Sequence, residues 1–141
     1  MNKVVLLVDD DNDDSELFGE ALLENNPEIA FHCAVNGLEA FNVLDTIERP
    51  DVIFLDINMP IMNGWECLAK LKTTDEFKDI PVIMYSTSSH QKDIDLAAET
   101  GAASFLSKPH DYKALKLVLS DICRHIEEGT LSNVGPLIAS H

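Results

Sequence analysis

Five short apolar runs alternate along the chain with longer segments whose apolar residues recur at helical spacing. The runs are rich in β-branched and aromatic residues, which is typical of strands buried on both faces of a parallel sheet. The second run differs because its apolar residues alternate with smaller or more polar ones, which predicts a strand at the sheet edge. The predicted strands are Lys3 to Val8, Ile29 to Val35, Val52 to Asp56, Val82 to Tyr85 and Ser104 to Ser107.

Five segments repeat apolar residues three and four positions apart and are predicted to be amphipathic helices. Pro27 stops the first helix, and Gly101 is placed to end the fourth. Asp13, Asp14 and Ser15 suit the N-cap and first turn of the first helix, and for both aspartates we expect no more than a solvated helix start. The helical segments are centred on Leu17 to Leu22, Ala40 to Ile47, Cys67 to Leu71, Gln91 to Thr100 and Leu115 to Ile126.

The alternation of strands and helices sets the fold class. With short connections and right-handed crossovers, this order favours an α/β fold with a doubly wound parallel sheet. No internal repeat or second domain is visible, so residues 1–128 are predicted to form one domain. Residues 129–141 contain Gly, Pro and Ser without a regular apolar period and are predicted to be a C-terminal tail.

Composition narrows the classes of partner. The chain has 141 residues, of which 45% are hydrophobic, enough for a folded core. A net charge of −15 argues against nucleic acid and anionic membranes as direct partners. No signal peptide or membrane-spanning run is visible, so we expect a cytoplasmic protein. Five histidines lack metal-ligand spacing and are expected at the surface. Reduced, buried thiols are expected for Cys33, Cys67 and Cys123.

Polar and charged residues follow four of the predicted strands, at the point where each strand ends. In a parallel sheet these ends share one edge, where doubly wound proteins bind ligands. Three of the residues are aspartates, which repel one another unless a cation lies between them, and their hard oxygen ligands suit Mg²⁺. The aspartate that ends the third strand can then attack a phosphoryl group. The residues are Asp9, Asp10, Asp56, Ser86, Thr87 and Lys108.

From Lys3 to about Glu127, the chain resembles the receiver domains of the response-regulator family. Each motif that carries the resemblance is weak alone, but the motifs are specific together, in this order and at strand ends. The resemblance implies a flavodoxin-like (βα)5 three-layer sandwich with five parallel strands in the order 2-1-3-4-5. The motifs are Val8-Asp9-Asp10, Leu55-Asp56-Ile57-Asn58-Met59-Pro60 with Asn63-Gly64, Ser86, and Lys108-Pro109.

The resemblance also implies a role for each residue near the metal. Asp56 corresponds to the phosphoacceptor and is also a ligand of Mg²⁺. Asp10 corresponds to a second direct ligand, and the backbone carbonyl of Asn58 corresponds to the third. Asp9 corresponds to the acidic neighbour that acts on the metal through water.

The other matched residues are expected to contact the phosphoryl group or to respond to it. Lys108 would pair with a phosphoryl oxygen, and its peptide bond to Pro109 is often cis in the family. Ser86 would move towards the phosphoryl group, and Thr87, where the family usually has Ala or Gly, would contact it. Phe105 matches the aromatic switch position, although a half-buried strand aromatic explains this residue equally well.

From this resemblance we expect a stand-alone two-component response regulator, a signalling switch that catalyses only its own phosphorylation and dephosphorylation. A sensor histidine kinase or histidine phosphotransfer protein would supply the phosphoryl group to Asp56, with Mg²⁺ as cofactor. Too few residues follow Glu127 for a DNA-binding domain, so the expected output is contact with an unknown downstream protein or onward phosphotransfer. The expected assembly is a monomer or a phosphorylation-linked homodimer.

Two alternatives are consistent with the same residues. A degenerate receiver would keep the fold as a binding module without accepting phosphate, and the β-branched Thr87 favours it. A phosphohydrolase of the haloacid-dehalogenase type would also attack with an aspartate on a doubly wound sheet. Such enzymes have the pattern D-x-D-x-T after the first strand, whereas Asp56 ends the third strand and Asn58 follows two residues later.

Overall fold

The computed structural model describes residues 3–131, along which five strands and five helices alternate. The strands are β1 (Val4–Val8), β2 (Ala30–Ala34), β3 (Val52–Asp56), β4 (Val82–Ser86) and β5 (Ser104–Ser107). The helices are α1 (Asn12–Asn25), α2 (Gly37–Leu44), α3 (Gly64–Thr73), α4 (Gln91–Thr100) and α5 (Tyr112–Glu128). All neighbouring strands are parallel, and their order, β2-β1-β3-β4-β5, confirms the predicted flavodoxin-like fold.

Helices cover both faces of the sheet, so the molecule has three layers. One core lies between the sheet and helices α2, α3 and α4, and the other lies between the sheet and helices α1 and α5. Successive residues of β1 point alternately into the two cores. Leu6 and Val8 belong to the first core, and Val5 and Leu7 belong to the second. Burial on both faces explains why these strands are continuously apolar in sequence.

Strand pairing aligns the strand ends. Val8 pairs with Leu55, Leu55 pairs with Met84 and Met84 pairs with Phe105, so one row of residues crosses four strands. The residues that follow this row, Asp56 among them, therefore reach the same carboxyl edge of the sheet.

Two helix boundaries differ from the prediction. Helix α1 begins earlier, because the Asp11 carboxylate caps it and accepts hydrogen bonds of 2.9 and 3.1 Å from the backbone N–H groups of Asp13 and Asp14. Helix α2 ends at Leu44, before Ile47, the last residue of its apolar pattern.

Strand β2 lies at an edge of the sheet, as predicted. Among the described residues it pairs only with β1, and its Cys33 side chain is exposed. The prediction of a buried thiol is therefore wrong for Cys33. Cys67 and Cys123 are buried free thiols, in agreement with the prediction.

Helix α5 ends at Glu128, and the φ of 69° at Gly129 gives the left-handed C-cap that glycine favours. Leu131, the third residue of the predicted tail, is buried in the core beside α1 and α5. The rest of the predicted tail, residues 132–141, lies outside the described residues. Within residues 3–131, no helix has the length and apolar character needed to cross a membrane.

Candidate functional site

Three carboxylates meet at the carboxyl edge of the sheet. Asp9 and Asp10 follow β1, and Asp56 is the last residue of β3. One oxygen of each lies within 4.8 Å of the others, and Asp10 is exposed whereas the other two are buried. An all-oxygen donor set with an open side fits Mg²⁺, which keeps several water ligands. Asn58 is exposed in the loop after β3, and its carbonyl as a third ligand stays a prediction.

The carboxyl group of Asp56 is hard to ionise in this environment. Burial raises its pKa to about 7, and the charges of Asp9 and Asp10 act in the same direction. The Lys108 ammonium and a 2.9 Å hydrogen bond from the Ile57 N–H to Oδ1 oppose this rise in the pKa. A bound cation would lower the pKa of Asp56 and so favour the ionised form that acts as a nucleophile.

Lys108 supplies the positive charge of the site. Its Nζ donates hydrogen bonds to Asp9 Oδ2 and Asp14 Oδ2, both 3.0 Å long, and lies 3.8 Å from Asp56 Oδ1. Burial alone would lower the pKa of Lys108, but the hydrogen bonds and charges of the three carboxylates outweigh it and raise the pKa. Its backbone N–H donates to the Ser86 carbonyl at 2.6 Å, which fixes where residue 108 leaves the sheet.

The peptide bond between Lys108 and Pro109 is trans, since residues 3–131 contain no cis peptide bond. The predicted cis bond is therefore wrong for this structure. The trans form of an X–Pro bond is favoured by about 0.5–1 kcal/mol. In this form Lys108 already reaches the acidic group, so the observed geometry needs no cis bond.

Asp14 belongs to the site, although its position in the sequence predicts only a solvated helix start. Its carboxylate forms an ion pair with Lys108 and is only partly exposed. A signal for this position was available in the helical pattern. Asp14 lies four residues before the fully buried Phe18, and residues four apart lie on the same face of a helix.

Two hydroxyl residues at the end of β4 have different environments. Ser86 is buried, and its Oγ accepts a hydrogen bond of 3.1 Å from the Ser88 N–H. Ser88 Oγ donates to Asp93 Oδ2 at 2.6 Å, which ties this loop to the first turn of α4. Thr87 is exposed. Ser86 follows the strand position that pairs with Asp56, but contact of Ser86 or Thr87 with a phosphoryl group stays a prediction.

Phe105 is 1% exposed and belongs to the core between the sheet and helices α2 to α4. The ring is therefore more deeply buried than the half-buried strand aromatic expected from the sequence. Its strand position pairs with Met84, two residues before Ser86 at the end of β4. A switching role for this ring stays a prediction.

The loop between β3 and α3 is held by close backbone contacts. The Gly64 N–H donates to the Ile57 carbonyl at 2.8 Å. A Cβ on Gly64 would lie 2.6 Å from the Ile57 Cα and closer still to the Asp56 carbonyl oxygen, so only glycine fits. Within the loop, Ile61 has a φ of 68°, which is strained for a β-branched residue. The loop is thus built tightly against the residue that ends β3.

Comparison with known proteins identifies the family. The model of the response regulator receiver domain matches residues 5–120. The response regulator Rcp1 of Synechocystis sp. is 33% identical over 119 residues, which are 80% of this chain and 81% of that protein. The chain belongs to the response regulator receiver family, whose members act in two-component signalling.

Two solved structures from related proteins share the fold. The phosphorylated cyanobacterial phytochrome response regulator RcpA has a TM-score of 0.83 and 28% identity, with coverage of 92% of this chain and 96% of that chain. The Mn²⁺-bound form of response regulator Rcp1 has a TM-score of 0.75 and 32% identity, with coverage of 85% and 91%. The first of these proteins is phosphorylated and the second holds a divalent metal.

Proposed function

We propose that the protein is a response regulator whose Asp56 accepts a phosphoryl group in an Mg²⁺-dependent reaction. One arrangement at the sheet edge carries this proposal. The buried Asp56 carboxylate has Asp9 and Asp10 oxygens within 4.8 Å and the Lys108 ammonium at 3.8 Å. A place for a divalent metal and a fixed cation therefore flank the carboxylate that ends a buried strand.

Transfer from a phosphohistidine would proceed by direct attack. An oxygen of ionised Asp56 forms a new bond to phosphorus, and the bond from phosphorus to the donor's ring nitrogen breaks. The imidazole leaves with that electron pair and takes up a proton, which leaves an aspartyl phosphate and a neutral histidine. Asp10, Asp56 and the Asn58 carbonyl would hold Mg²⁺, with Asp9 acting through water, and the bound metal would neutralise phosphoryl charge. Lys108 would hold one phosphoryl oxygen as a point charge.

The proposed output starts from the same site. The Ser86 hydroxyl would leave its hydrogen bond with the Ser88 N–H and turn towards the phosphoryl group. Phe105 would then move towards the space released, and the surface of α4, β5 and α5 would change. The proposal includes a sensor histidine kinase or histidine phosphotransfer protein as donor, and an unknown downstream protein. It also includes the cytoplasmic location and the monomer or phosphorylation-linked homodimer expected from the sequence.

The test is intact-protein mass spectrometry after incubation with acetyl phosphate and Mg²⁺. We expect one phosphoryl adduct on the native chain and none after chelation of the metal. The Asp56→Asn variant should gain no adduct. Asp13→Asn is the matched control, because it makes the same chemical change in the first turn of α1, close in sequence to Asp9 and Asp10. The Asp13 carboxylate makes no hydrogen bond or ion pair with the described residues, so this variant should be phosphorylated like the native chain.

An adduct that persists in Asp56→Asn would refute the assignment of the acceptor. Beryllofluoride, which mimics a bound phosphoryl group, separates two causes of a missing adduct on the native chain. Binding of beryllofluoride with Mg²⁺ would mean that the acyl phosphate is hydrolysed quickly or formed only by the cognate donor. Absence of binding would refute the proposed function.

The two alternatives lack support from the structure. A binding module that never accepts phosphate has no need of the assembled acids and Lys108, and Thr87, which favoured this alternative, is exposed. A haloacid-dehalogenase-type phosphohydrolase needs its nucleophile after the first strand, whereas Asp56 ends β3. Turnover of small phosphate esters would be the observation in favour of an enzyme, and we propose that the protein turns over only its own phosphoryl group.

A further inference from the structure

The ammonium of Lys108 is shared unequally among three carboxylates. It lies 3.0 Å from oxygens of both Asp9 and Asp14 but 3.8 Å from the nearest oxygen of Asp56. The first two distances are those of hydrogen bonds, whereas the third is too long for one. In this arrangement Lys108 is bonded to residues other than the one proposed to accept the phosphoryl group.

An ammonium has three protons to donate, and two of the Lys108 protons are already engaged. A phosphoryl group on Asp56 would bring new oxygens and additional negative charge beside this ammonium. One proton remains, but a strong contact with the phosphoryl group would draw the ammonium from Asp9 and Asp14 towards Asp56. Such a contact therefore competes with those that Lys108 makes in the structure described.

The two competing carboxylates are not equivalent. Asp9 belongs to the group of three carboxylates that fits a metal, so a bound cation would offset its charge. Asp14 lies outside that group, in the first turn of α1, where the Asp11 cap fixes the backbone. Its charge would therefore still act on Lys108 after the metal has bound.

We propose that Asp14 is a positioning residue that holds the Lys108 ammonium in the unphosphorylated protein and competes with the phosphoryl group for it. Asp14 thereby sets how readily the site accepts a phosphoryl group, without touching phosphate or metal itself. This inference rests on the proposed function of Asp56. It adds a residue of α1 to the set that determines phosphorylation rate.

The first measurement is the second-order rate constant of adduct formation with acetyl phosphate at saturating Mg²⁺. Asp14→Asn should raise this constant about two- to fivefold, the range that corresponds to a partly exposed ion pair. Asp13→Asn removes an equal charge from the same helical turn without a bond to Lys108, and it should have less than half that effect. Asp14→Glu keeps the charge and should return the constant towards the native value.

The second measurement is the ¹⁵N–¹H NMR signal of the Lys108 ammonium in the unphosphorylated protein. The signal is assigned by its absence from the spectrum of Lys108→Arg. The signal should shift and exchange faster with water in Asp14→Asn but not in Asp13→Asn. In the native chain it should shift when beryllofluoride and Mg²⁺ are added. A merely structural role for Asp14 would change stability without these differences.

The outcomes separate this inference from the proposed function. If the native chain forms no adduct and binds no beryllofluoride, the proposed function fails and the inference fails with it. If the native chain is phosphorylated but Asp14→Asn reacts no faster than Asp13→Asn, the inference alone is overturned. A Lys108 signal that is unchanged in Asp14→Asn would also overturn it.

Discussion

The carboxyl group of Asp56 is buried and has two other carboxyl groups beside it. Both features raise its pKa, from an ordinary value of 3.8 to about 7. Folding therefore favours the protonated form of this residue. Its contribution to stability is fully present below the ordinary pKa and is lost as the pH rises through the folded-state pKa. In the absence of metal, the ionised form needed for attack on phosphorus destabilises the native state.

Replacing Asp56 by Asn should therefore stabilise the metal-free protein at alkaline pH. We expect the free energy of unfolding to exceed that of the native chain by about 1–3 kcal/mol at pH 8, after allowance for partial solvent screening. The difference should shrink towards zero as the pH falls to the ordinary pKa. Urea denaturation in EDTA across this pH range measures it.

The control for this comparison is Asp13→Asn, which should differ from the native chain by less than about 0.5 kcal/mol at each pH. Equal stability of Asp56→Asn and the native chain at pH 8 would show that the buried carboxylate is not destabilising.

Strand-end position made Asp9, Asp10, Asp56 and Lys108 predictable from sequence, because parallel strands bring their carboxyl ends to one edge. The role of Asp14 was not predictable in the same way. A helix side chain reaches the site only if the helix begins at the right residue, and the start of α1 is decided by the Asp11 cap among several neighbouring acids.

Among the elements, the β3–α3 loop is the one that connects the proposed acceptor to a helix. Gly64, the first residue of α3, packs against the backbone of Asp56 and Ile57. The helix start is fixed from its other side by a capping box, in which Asn63 and Glu66 exchange side chain–backbone hydrogen bonds of 2.9 and 3.1 Å. The position of the Asp56 backbone and the start of α3 are therefore determined together.

Gly64→Ala should be strongly destabilising and should also weaken the site. The added Cβ would meet backbone atoms that cannot move without displacing Asp56, so we expect a loss of about 2–4 kcal/mol in the free energy of unfolding. Urea denaturation measures this loss, and calorimetric Mg²⁺ titration of the folded variant should show weaker binding.

Gly37→Ala is the comparison for this prediction. The three atoms nearest to a Cβ there, at 2.8–2.9 Å, belong to the Met62 side chain and not to the backbone, so the loss should be smaller, about 1–2 kcal/mol. Similar losses in the two variants would contradict the proposed constraint at Gly64.

The elements that the sequence pattern predicted best are those buried on both faces, because β3 is apolar up to Asp56, its last residue, and β4 is apolar up to Tyr85. The edge strand β2 was recognised from its alternation, but the exposure of Cys33 was not. Whether an edge position is covered depends on how far neighbouring helices extend, and helical periodicity does not specify this. Periodicity also does not specify the residue at which a helix ends, and the end of α2 at Leu44 was missed for this reason.

Over the whole molecule, 25 acidic residues are balanced by only 10 Lys and Arg residues, which leaves a net charge of −15. Such an excess of one sign destabilises the compact state through repulsion. Cations can reduce this repulsion in two ways. Any salt screens surface charges that lie more than a Debye length apart. A bound ion, in contrast, stabilises only the folded state, which contains its site. The segment that follows β1 concentrates five of the acids, namely Asp9, Asp10, Asp11, Asp13 and Asp14.

Melting curves can separate the two effects. NaCl should raise the melting temperature of the native chain and of Asp10→Asn alike, because screening does not depend on one ligand. MgCl2 at equal ionic strength should raise that of the native chain further. At ten times the dissociation constant, binding adds about 1.4 kcal/mol, or about 4–6 °C for a domain of this size.

The excess stabilisation by MgCl2 should disappear in Asp10→Asn and persist in Asp13→Asn, as measured by differential scanning calorimetry. Both substitutions remove one negative charge from the same segment, but only Asp10 belongs to the group of three carboxylates within 4.8 Å of one another. If Asp10→Asn retained the full excess, Mg²⁺ would be stabilising the protein by general attraction to an acidic surface. The metal position assigned to Asp9, Asp10 and Asp56 would then be wrong.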